Sequence, residues 1–339
     1  QIQMGSGDQE FWQASQVPLR ELVRAQSPEP YAWVPRIPID QQPGLRVWHS
    51  QRAIWFEYHH TCADGRGALL LEREFFSHYR QGGQPSAGRP QSLAQGGPGW
   101  PHLAARGRAR ITFRGGLFRT LFGPPYLWRG LNADVLPFPE AAPPRRNRVA
   151  MRAYSQRLSP QATERVRQLA RAQQVSVNDW VLVQIARAIA ARVPEGMCSK
   201  HALRLVIPVD MRTHHGDIAT CANRMSFVYL DLPRHRVDAS RRFASWVSKR
   251  MQFLKRYMGL VAWRSIQFGP KRLAELQGYL HHREQMLTCY VSNLGVMQGL
   301  PACVQAFEAT PTLRRDTPLA LMVYTLHDQL QITVGYDQA

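Results

Sequence analysis

Two different periods of hydrophobic residues follow each other in the first part of this 339-residue chain. Residues 45–59 form two β-rich runs around Ser50-Gln51, which predicts a β-hairpin or two consecutive strands. A turn is predicted at Asp64-Gly65, and residues 66–79 have a helical period. The predicted apolar face of that helix holds Ala68, Leu71, Phe75 and Tyr79, with Glu72 and Glu74 off it. This part is therefore predicted to be a strand, turn and helix unit.

A regular pattern returns after Pro143-Pro144. Residues 149–158 alternate as in a strand, and Ser159-Pro160 then predicts a helix start, with the helix running to about Gln173. A second helix begins at Ser176 and is apolar on nearly every side, which predicts burial. Further strands are predicted over 203–209, 224–232, 287–291, 319–326 and 330–336, the last two as a hairpin, and helices over 241–257 and 270–281. The chain is predicted to be mixed α/β, without internal repeats.

Residues 81–147 interrupt these patterns. Residues 81–101 are rich in Gly, Pro, Ser and Gln, and twelve Arg with only two acidic residues lie between Arg89 and Arg157. Aromatic residues alternate with Arg over 105–131, which suits a lipid surface or an apolar substrate entrance. A partly buried connector with solvated arginines fits equally well. The predicted domains are a first subdomain over 1–80, a flexible basic linker over 81–147 and a second subdomain over 148–339.

The composition narrows the class of protein. With 44% hydrophobic residues, the chain can bury a large core, which argues against a disordered or fibrous protein. The 43 Lys and Arg exceed the 24 Asp and Glu, giving a formal charge of +19. Nearly all these basic residues are Arg, which codon bias can produce, so the charge argues only weakly for nucleic acid. It implies attraction to phosphates, acidic carrier proteins or anionic lipid.

Cysteines and terminal segments indicate the compartment. The five cysteines include no C-x-x-C pair, which predicts a reducing cytoplasm. No signal-peptide pattern begins the chain, and no run reaches the roughly 18 apolar residues of a membrane span, so we expect a cytoplasmic protein, at most peripheral to a membrane. The histidine pairs at 59–60, 214–215 and 281–282 lack the spacing of metal ligands, and no metal is predicted.

The clearest chemical motif is H-H-T-C-A-D-G over residues 59–65, directly after an apolar run. If both histidines end a strand, their rings point in opposite directions and only one can enter a given cleft. An imidazole is suited to removing a proton from a hydroxyl or amine. Asp64 is a candidate to orient the loop through an ion pair, and Gly65 allows a backbone conformation closed to other residues. The alternative is a structural strand end with one buried and one exposed ring.

This H-H-x-x-x-D-G pattern resembles the signature of the CoA-dependent acyltransferase superfamily. That superfamily includes nonribosomal peptide condensation domains, wax ester synthase/diacylglycerol acyltransferases and polyketide-associated acyltransferases. Three further segments follow in the order the resemblance predicts: V-S-V-N-D-W-V-L-V-Q-I-A-R over 175–187, I-P-V-D-M-R over 207–212 with the later Asn223 and Ser226, and V-S-N-L-G over 291–295.

The resemblance implies two chloramphenicol-acetyltransferase-like subdomains, each a mixed sheet flanked by helices, with a central active-site channel. His60 is implied to be catalytic, as general base or as positioner of the nucleophile. His59, Asp64 and Gly65 are implied to be structural, with Arg212 as the candidate partner of Asp64; the alternative is a solvated arginine. Asn223, Ser292 and Asn293 are candidate channel residues. Cys62 occupies a variable position of the motif, so it is not expected to be a nucleophile.

The implied reaction moves an acyl group from a CoA or carrier-protein thioester to a hydroxyl or amine, with no bound cofactor. The Asn-Asp helix and the segment 105–131 favour the wax ester type, and a condensation or natural-product type is the nearest rival. A non-catalytic member that binds carrier protein or lipid, and a basic binder of membrane or nucleic acid, remain open. The motif comes early and the chain stops at Tyr336-Asp337, so we expect a fragment trimmed at both ends.

Overall fold

The computed structural model describes residues 2–4, 10–12, 23–24, 44–50, 52–60, 62–80, 135, 151–193, 202–212, 221, 223–259, 288–298, 300–310 and 319–337. The chain divides into two compact units. The first holds residues 1–109, 212–225 and 299–302, and the second holds the remainder. Apart from Val135, the predicted linker lies outside the described residues, as does the predicted helix over 270–281. The predicted domain boundaries stay a prediction.

The described part of the first unit holds two small sheets and one long helix. Strands β1 (Ile2–Met4) and β2 (Glu10–Trp12) pair antiparallel, while β3 (Val23–Arg24), β4 (Leu45–His49) and β5 (Ile54–Tyr58) form a three-stranded sheet. β4 and β5 are antiparallel, with Leu45 opposite Tyr58, which confirms the predicted hairpin. The Ser50 hydroxyl closes its turn by accepting from the amide of Ala53 at 3.2 Å. Helix α1 (Gly65–Arg80) follows.

The predicted apolar face of α1 is only partly correct. Phe75 is 36% exposed and Tyr79 67% exposed, whereas Leu69 and Glu72 are buried. The buried face includes a carboxyl group because the hydroxyl of Tyr58 on β5 donates to Glu72 Oε1 at 3.4 Å. This polar pair lies between strand and helix in addition to a hydrophobic contact, in which the ring of Phe56 on β5 packs edge-on against Phe75 at 5.2 Å between ring centroids.

The second unit is built on a six-stranded mixed sheet flanked by helices. Its elements are β6 (Met151–Arg157), α2 (Pro160–Ala172), α3 (Val177–Ala190), β7 (Ala202–Asp210), β8 (Met225–Pro233), α4 (Arg241–Phe253), β9 (Cys289–Val296), β10 (Leu319–Leu326) and β11 (Gln329–Asp337). The strand order is β6-β11-β10-β9-β7-β8. β9 is parallel to β7 and β10, and β11 is antiparallel to β10 and β6.

Serine side chains cap the helices of this unit where the sequence predicts their starts. Ser159 accepts from the amide of Ala162, and Ser176 accepts from that of Asp179, both at 3.1 Å. Each cap satisfies an amide that the first helical turn leaves without a partner. A short 3₁₀ turn (Arg234–Arg236) precedes α4, which continues into a π-helical turn (Leu254–Met258).

The core of the second unit lies between the sheet and helices α2, α3 and α4. It includes residues that are at most 1% exposed, such as Leu182, Leu205, Leu230, Val247 and Val323. The predicted fold class, mixed sheets flanked by helices, is confirmed. No helix in the described part of the chain is long and apolar enough to cross a membrane.

Candidate active site

The motif histidines lie in a tight turn after β5. The strand ends at Tyr58, so the expectation that both histidines belong to its end is wrong. The carbonyl of His59 accepts from the amides of Cys62 (2.8 Å) and Ala63 (3.4 Å), while the amide of His59 donates to the carbonyl of Gly44 at 2.8 Å. His59 is thereby tied into the turn through its main chain, and His60 is exposed next to it.

Asp64 joins the motif loop to a distant part of the sequence. Its Oδ1 caps α1 by accepting from the amide of Gly67 at 2.8 Å. The guanidinium of Arg212 donates to both carboxylate oxygens, at 2.9 and 3.0 Å, and the amide of Arg224 donates to Oδ2 at 2.7 Å. Asp64 is 3% and Arg212 2% exposed, so the alternative of a solvated arginine is wrong. Four donors satisfy this carboxylate, and such a buried charge is stable only when it is paired in this way.

Asn223 contacts His60 directly. Its Nδ2 donates to the carbonyl oxygen of His60 at 2.7 Å and lies 3.5 Å from the ring nitrogen Nδ1. Its Oδ1 accepts from the amide of Met225 at 3.1 Å, where β8 begins. Within the first unit, the structure therefore brings together His59, His60, Asp64, Arg212 and Asn223. Their functional roles stay predictions.

Two glycines of the motif region, Gly65 and Gly67, differ in what the structure requires of them. Gly65 begins α1 in helical conformation, so the expectation of an unusual backbone there is wrong. The helix start is stabilised instead by the side chain of Asp64, which caps α1. Gly67 is the glycine that sterics require: a Cβ at this position would collide with the carbonyl oxygen of Cys221 and lie 3.1 Å from the Arg212 guanidinium. In the sequence G-R-G over residues 65–67, the second glycine could have indicated this close contact, because glycine lets another backbone segment approach closely.

Burial shifts the pKa of several ionisable groups near the motif, among them Cys62 and Glu72. Burial raises the pKa of the Cys62 thiol, which disfavours the nucleophilic thiolate. Burial also raises the pKa of Glu72 to about 7, against the lowering effect of the hydrogen bond from Tyr58. Glu72 therefore holds its proton over the acidic range and loses it only as the pH rises through about 7.

Ser292 and Asn293 belong to the second unit. Ser292 is buried on β9, and the exposed Asn293 donates to Asn178 Oδ1 at 3.0 Å. Asn178 in turn donates to Asp179 Oδ1 at 3.1 Å, and the buried hydroxyl of Ser248 donates to Asp179 Oδ2 at 2.9 Å. The Asn-Asp pair of α3 and the S-N-L-G segment are thus one hydrogen-bonded network. The roles of Ser292 and Asn293 in a substrate channel, and the channel itself, stay predictions.

Metal-binding geometry is not found in the described part of the chain, where no three His, Cys, Asp or Glu side chains gather as ligands. The pairs His214-His215 and His281-His282 lie outside the described residues. The absence of a metal stays a prediction.

Comparisons with known proteins agree with this fold. Residues 147–215 match the family described as phthiocerol/phthiodiolone dimycocerosyl transferase C-terminus. No curated protein matches the chain at a significant level. Among solved structures, the trichothecene 15-O-acetyltransferase from Fusarium sporotrichioides has a TM-score of 0.63 at 12% identity, with 94% of this chain and 72% of that one covered.

Two structures from nonribosomal peptide synthesis are also similar. The cyclization-docking bidomain of EpoB from Sorangium cellulosum has a TM-score of 0.60 at 13% identity, covering 89% of this chain and 59% of that one. The epimerization domain from the third module of tyrocidine synthetase B has a TM-score of 0.56 at 15% identity, covering 87% and 67%.

The fold is that of condensation domains and related acyltransferases, which agrees with the superfamily that the motifs predict. The chain spans only 59% of the EpoB bidomain, so the activity of the whole protein is a matter for proposal.

Proposed function

We propose that this protein transfers an acyl group from the thioester of CoA or of a carrier protein to an acceptor, with His60 at the reacting centre. The observation that carries this proposal is the exposed His60, held on a turn whose neighbour Asp64 is fixed by four hydrogen bonds. Fixing a reactive group before substrate arrives is a major source of rate enhancement.

The reaction needs one proton to move. The acceptor oxygen or nitrogen attacks the thioester carbonyl carbon, the carbon–sulfur bond breaks, and the proton of the acceptor ends on the released thiol. His60 assists as general base or by orienting the acceptor, an effect typically worth about 10²- to 10⁴-fold in rate. Asp64 and Arg212 hold the turn without touching substrate. Ser292 and Asn293 are proposed to contact substrate.

The names of the relatives favour an oxygen acceptor over an amine. The solved acetyltransferase is named for transfer to an oxygen, and the matched family for transfer involving phthiocerol. We therefore rank ester formation in lipid or natural-product biosynthesis first. The net charge of +19 suits the phosphates of CoA or an acidic carrier protein, and we propose a cytoplasmic location, with peripheral membrane contact if the acceptor is a lipid.

The test measures release of free thiol from short- and long-chain acyl-CoA, with fatty alcohol, diacylglycerol or amine as acceptor. We expect acceptor-dependent release that falls at least about a hundredfold in His60→Ala. His78→Ala is the matched control, since it removes a partly exposed imidazole from α1 without touching the motif.

The outcome separates the candidate functions. Loss of thiol release in His60→Ala but not in His78→Ala supports catalysis, and the preferred acceptor identifies the branch. A folded parent chain that binds a carrier protein or anionic vesicles without releasing thiol overturns catalysis in favour of a binding protein. Equal release from the parent and His60→Ala would remove His60 from the mechanism.

A further inference from the structure

Asn223 contacts both the main chain and the ring of His60. It can therefore determine how the His60 ring is oriented and where the ring carries its proton. We propose that Asn223 is the positioning residue of His60, and that its amide keeps the proton of the neutral imidazole on Nε2. This inference rests on the proposed function, because it assumes that His60 acts on substrate.

The orientation of the Asn223 amide is fixed by two backbone groups of opposite polarity. The carbonyl of His60, 2.7 Å away, can only accept a hydrogen bond, and the amide of Met225, 3.1 Å away, can only donate one. Exchanging Nδ2 and Oδ1 would set an oxygen against an oxygen and an N–H against an N–H. The hydrogen-bond chemistry therefore assigns Nδ2 to the side of His60.

The same Nδ2 lies 3.5 Å from Nδ1 of the His60 ring. One of its hydrogens is used by the His60 carbonyl, and the second is available to Nδ1. A protonated Nδ1 would oppose this hydrogen, whereas an unprotonated Nδ1 accepts it. In the neutral ring, the single proton is then on Nε2, and the exposed ring presents a donor there.

Asn223 can hold the ring only because its own position is fixed. The next residue, Arg224, donates its amide to the buried carboxylate of Asp64, and Asp64 is bound to Arg212. Two hydrogen bonds thus join the turn that carries His60 to residues 223–224. One runs from the Arg224 amide to Asp64, and the other from the Asn223 side-chain amide to the His60 carbonyl.

A donor at Nε2 has a consequence for the mechanism. In this conformation, His60 orients a substrate oxygen or sulfur by donating to it. Removal of a proton by Nε2 would require the ring to exchange tautomers first. The structure therefore favours positioning by His60 over general base catalysis, the two roles left open above.

The first test is ¹⁵N NMR of histidine-labelled protein at a pH where the ring is neutral, with His60 assigned from its absence in His60→Ala. We expect a protonated Nε2 and an Nδ1 resonance that shifts in Asn223→Ala, because the hydrogen bond is lost. Asn223→Asp replaces the donor that faces the His60 carbonyl and Nδ1 by an oxygen, and the Nδ1 resonance is expected to shift in this variant too. A protonated Nδ1 in the parent, or spectra unchanged in both variants, overturns the proposal.

The second test is kinetic. We expect Asn223→Ala to lower kcat about tenfold or more with little change in KM, and the double variant with His60→Ala to be no slower than His60→Ala alone, because Asn223 acts through His60. Equal further losses in both backgrounds would overturn the positioning role. If the parent releases no thiol, the proposed function fails, while the NMR result still decides where the proton lies.

Discussion

Glu72 provides a direct test of how the motif helix is attached to its sheet. The side chain is 6% exposed, its Oε1 accepts from Tyr58 at 3.4 Å, and its Oε2 has no hydrogen-bond partner among the described residues. Glu72→Gln keeps the shape and the acceptor but removes the ionisation. We expect this substitution to leave stability nearly unchanged at low pH and to increase it at high pH.

The magnitude follows from linkage. The folded pKa is about 7 against an ordinary value of 4.5. Between these values the unfolded chain has released the proton and the folded chain retains it, so the unfolding free energy falls as pH rises. The contribution is fully present below pH 4.5 and is lost as pH rises through 7. Over this whole range, the unfolding free energy of the parent falls by about 3 kcal/mol because of Glu72. This fall is absent in Glu72→Gln, which has no ionisable group at this position.

The assay is denaturant unfolding of the parent and Glu72→Gln at several pH values between 4 and about 8.5, followed by tryptophan fluorescence. Glu74→Gln is the matched control on the same helix, where a 36% exposed carboxylate is removed and little change is expected. A difference between Glu72→Gln and the parent that does not grow with pH would refute a neutral, buried Glu72. Growth of equal size in Glu74→Gln would refute the assignment to that residue.

Three further substitutions test the site and its surroundings by denaturant unfolding. Arg212→Met leaves the carboxylate of Asp64 buried without its guanidinium and is expected to cost about 3 to 5 kcal/mol; a loss below about 1 kcal/mol would contradict the buried pair. Gly67→Ala forces a Cβ into the carbonyl of Cys221 and is expected to cost at least about 2 kcal/mol. Gly295→Ala measures the cost of a left-handed backbone conformation alone, because φ is +77° and no described atom lies within 4 Å of the added Cβ. Its expected cost is about 1 kcal/mol, so a larger loss than for Gly67→Ala would contradict both predictions.

The second unit was predictable because its signals are local. Ser159-Pro160 and Ser176 mark helix starts that depend on a hydrogen bond three residues away. The hairpin of β10 and β11 was predictable for the same reason. His327 and Asp328 take positive φ values of 47° and 60°, which match the twist of paired strands, and the apolar runs on either side determine the register.

The face of α1 was not predictable from its own residues. The helical period predicts that Glu72 lies at the surface. Its burial becomes less costly because the hydroxyl of Tyr58 on β5 donates a hydrogen bond to its carboxyl group. A helix buries the side that its neighbours can satisfy, and those neighbours are not encoded in the helical period.

The motif itself shows where sequence reasoning reaches its limit. A strand end, a histidine pair and an aspartate before a helix can be read locally, but the partners of that aspartate come from residues 212 and 224, far along the chain. The resemblance supplied Arg212 as a candidate, whereas the amide of Arg224 has no sequence signature, since any residue except proline offers one. The resemblance also supplied Asn223, but as a candidate channel residue, whereas in the structure its amide donates to the carbonyl of His60.

At Arg224, we therefore expect loss of the main-chain amide in Arg224→Pro to lower the unfolding temperature more than truncation of the side chain in Arg224→Ala. Thermal unfolding of Arg224→Pro and Arg224→Ala would measure the difference, and equal losses would show that the side chain, not the amide, provides the contact.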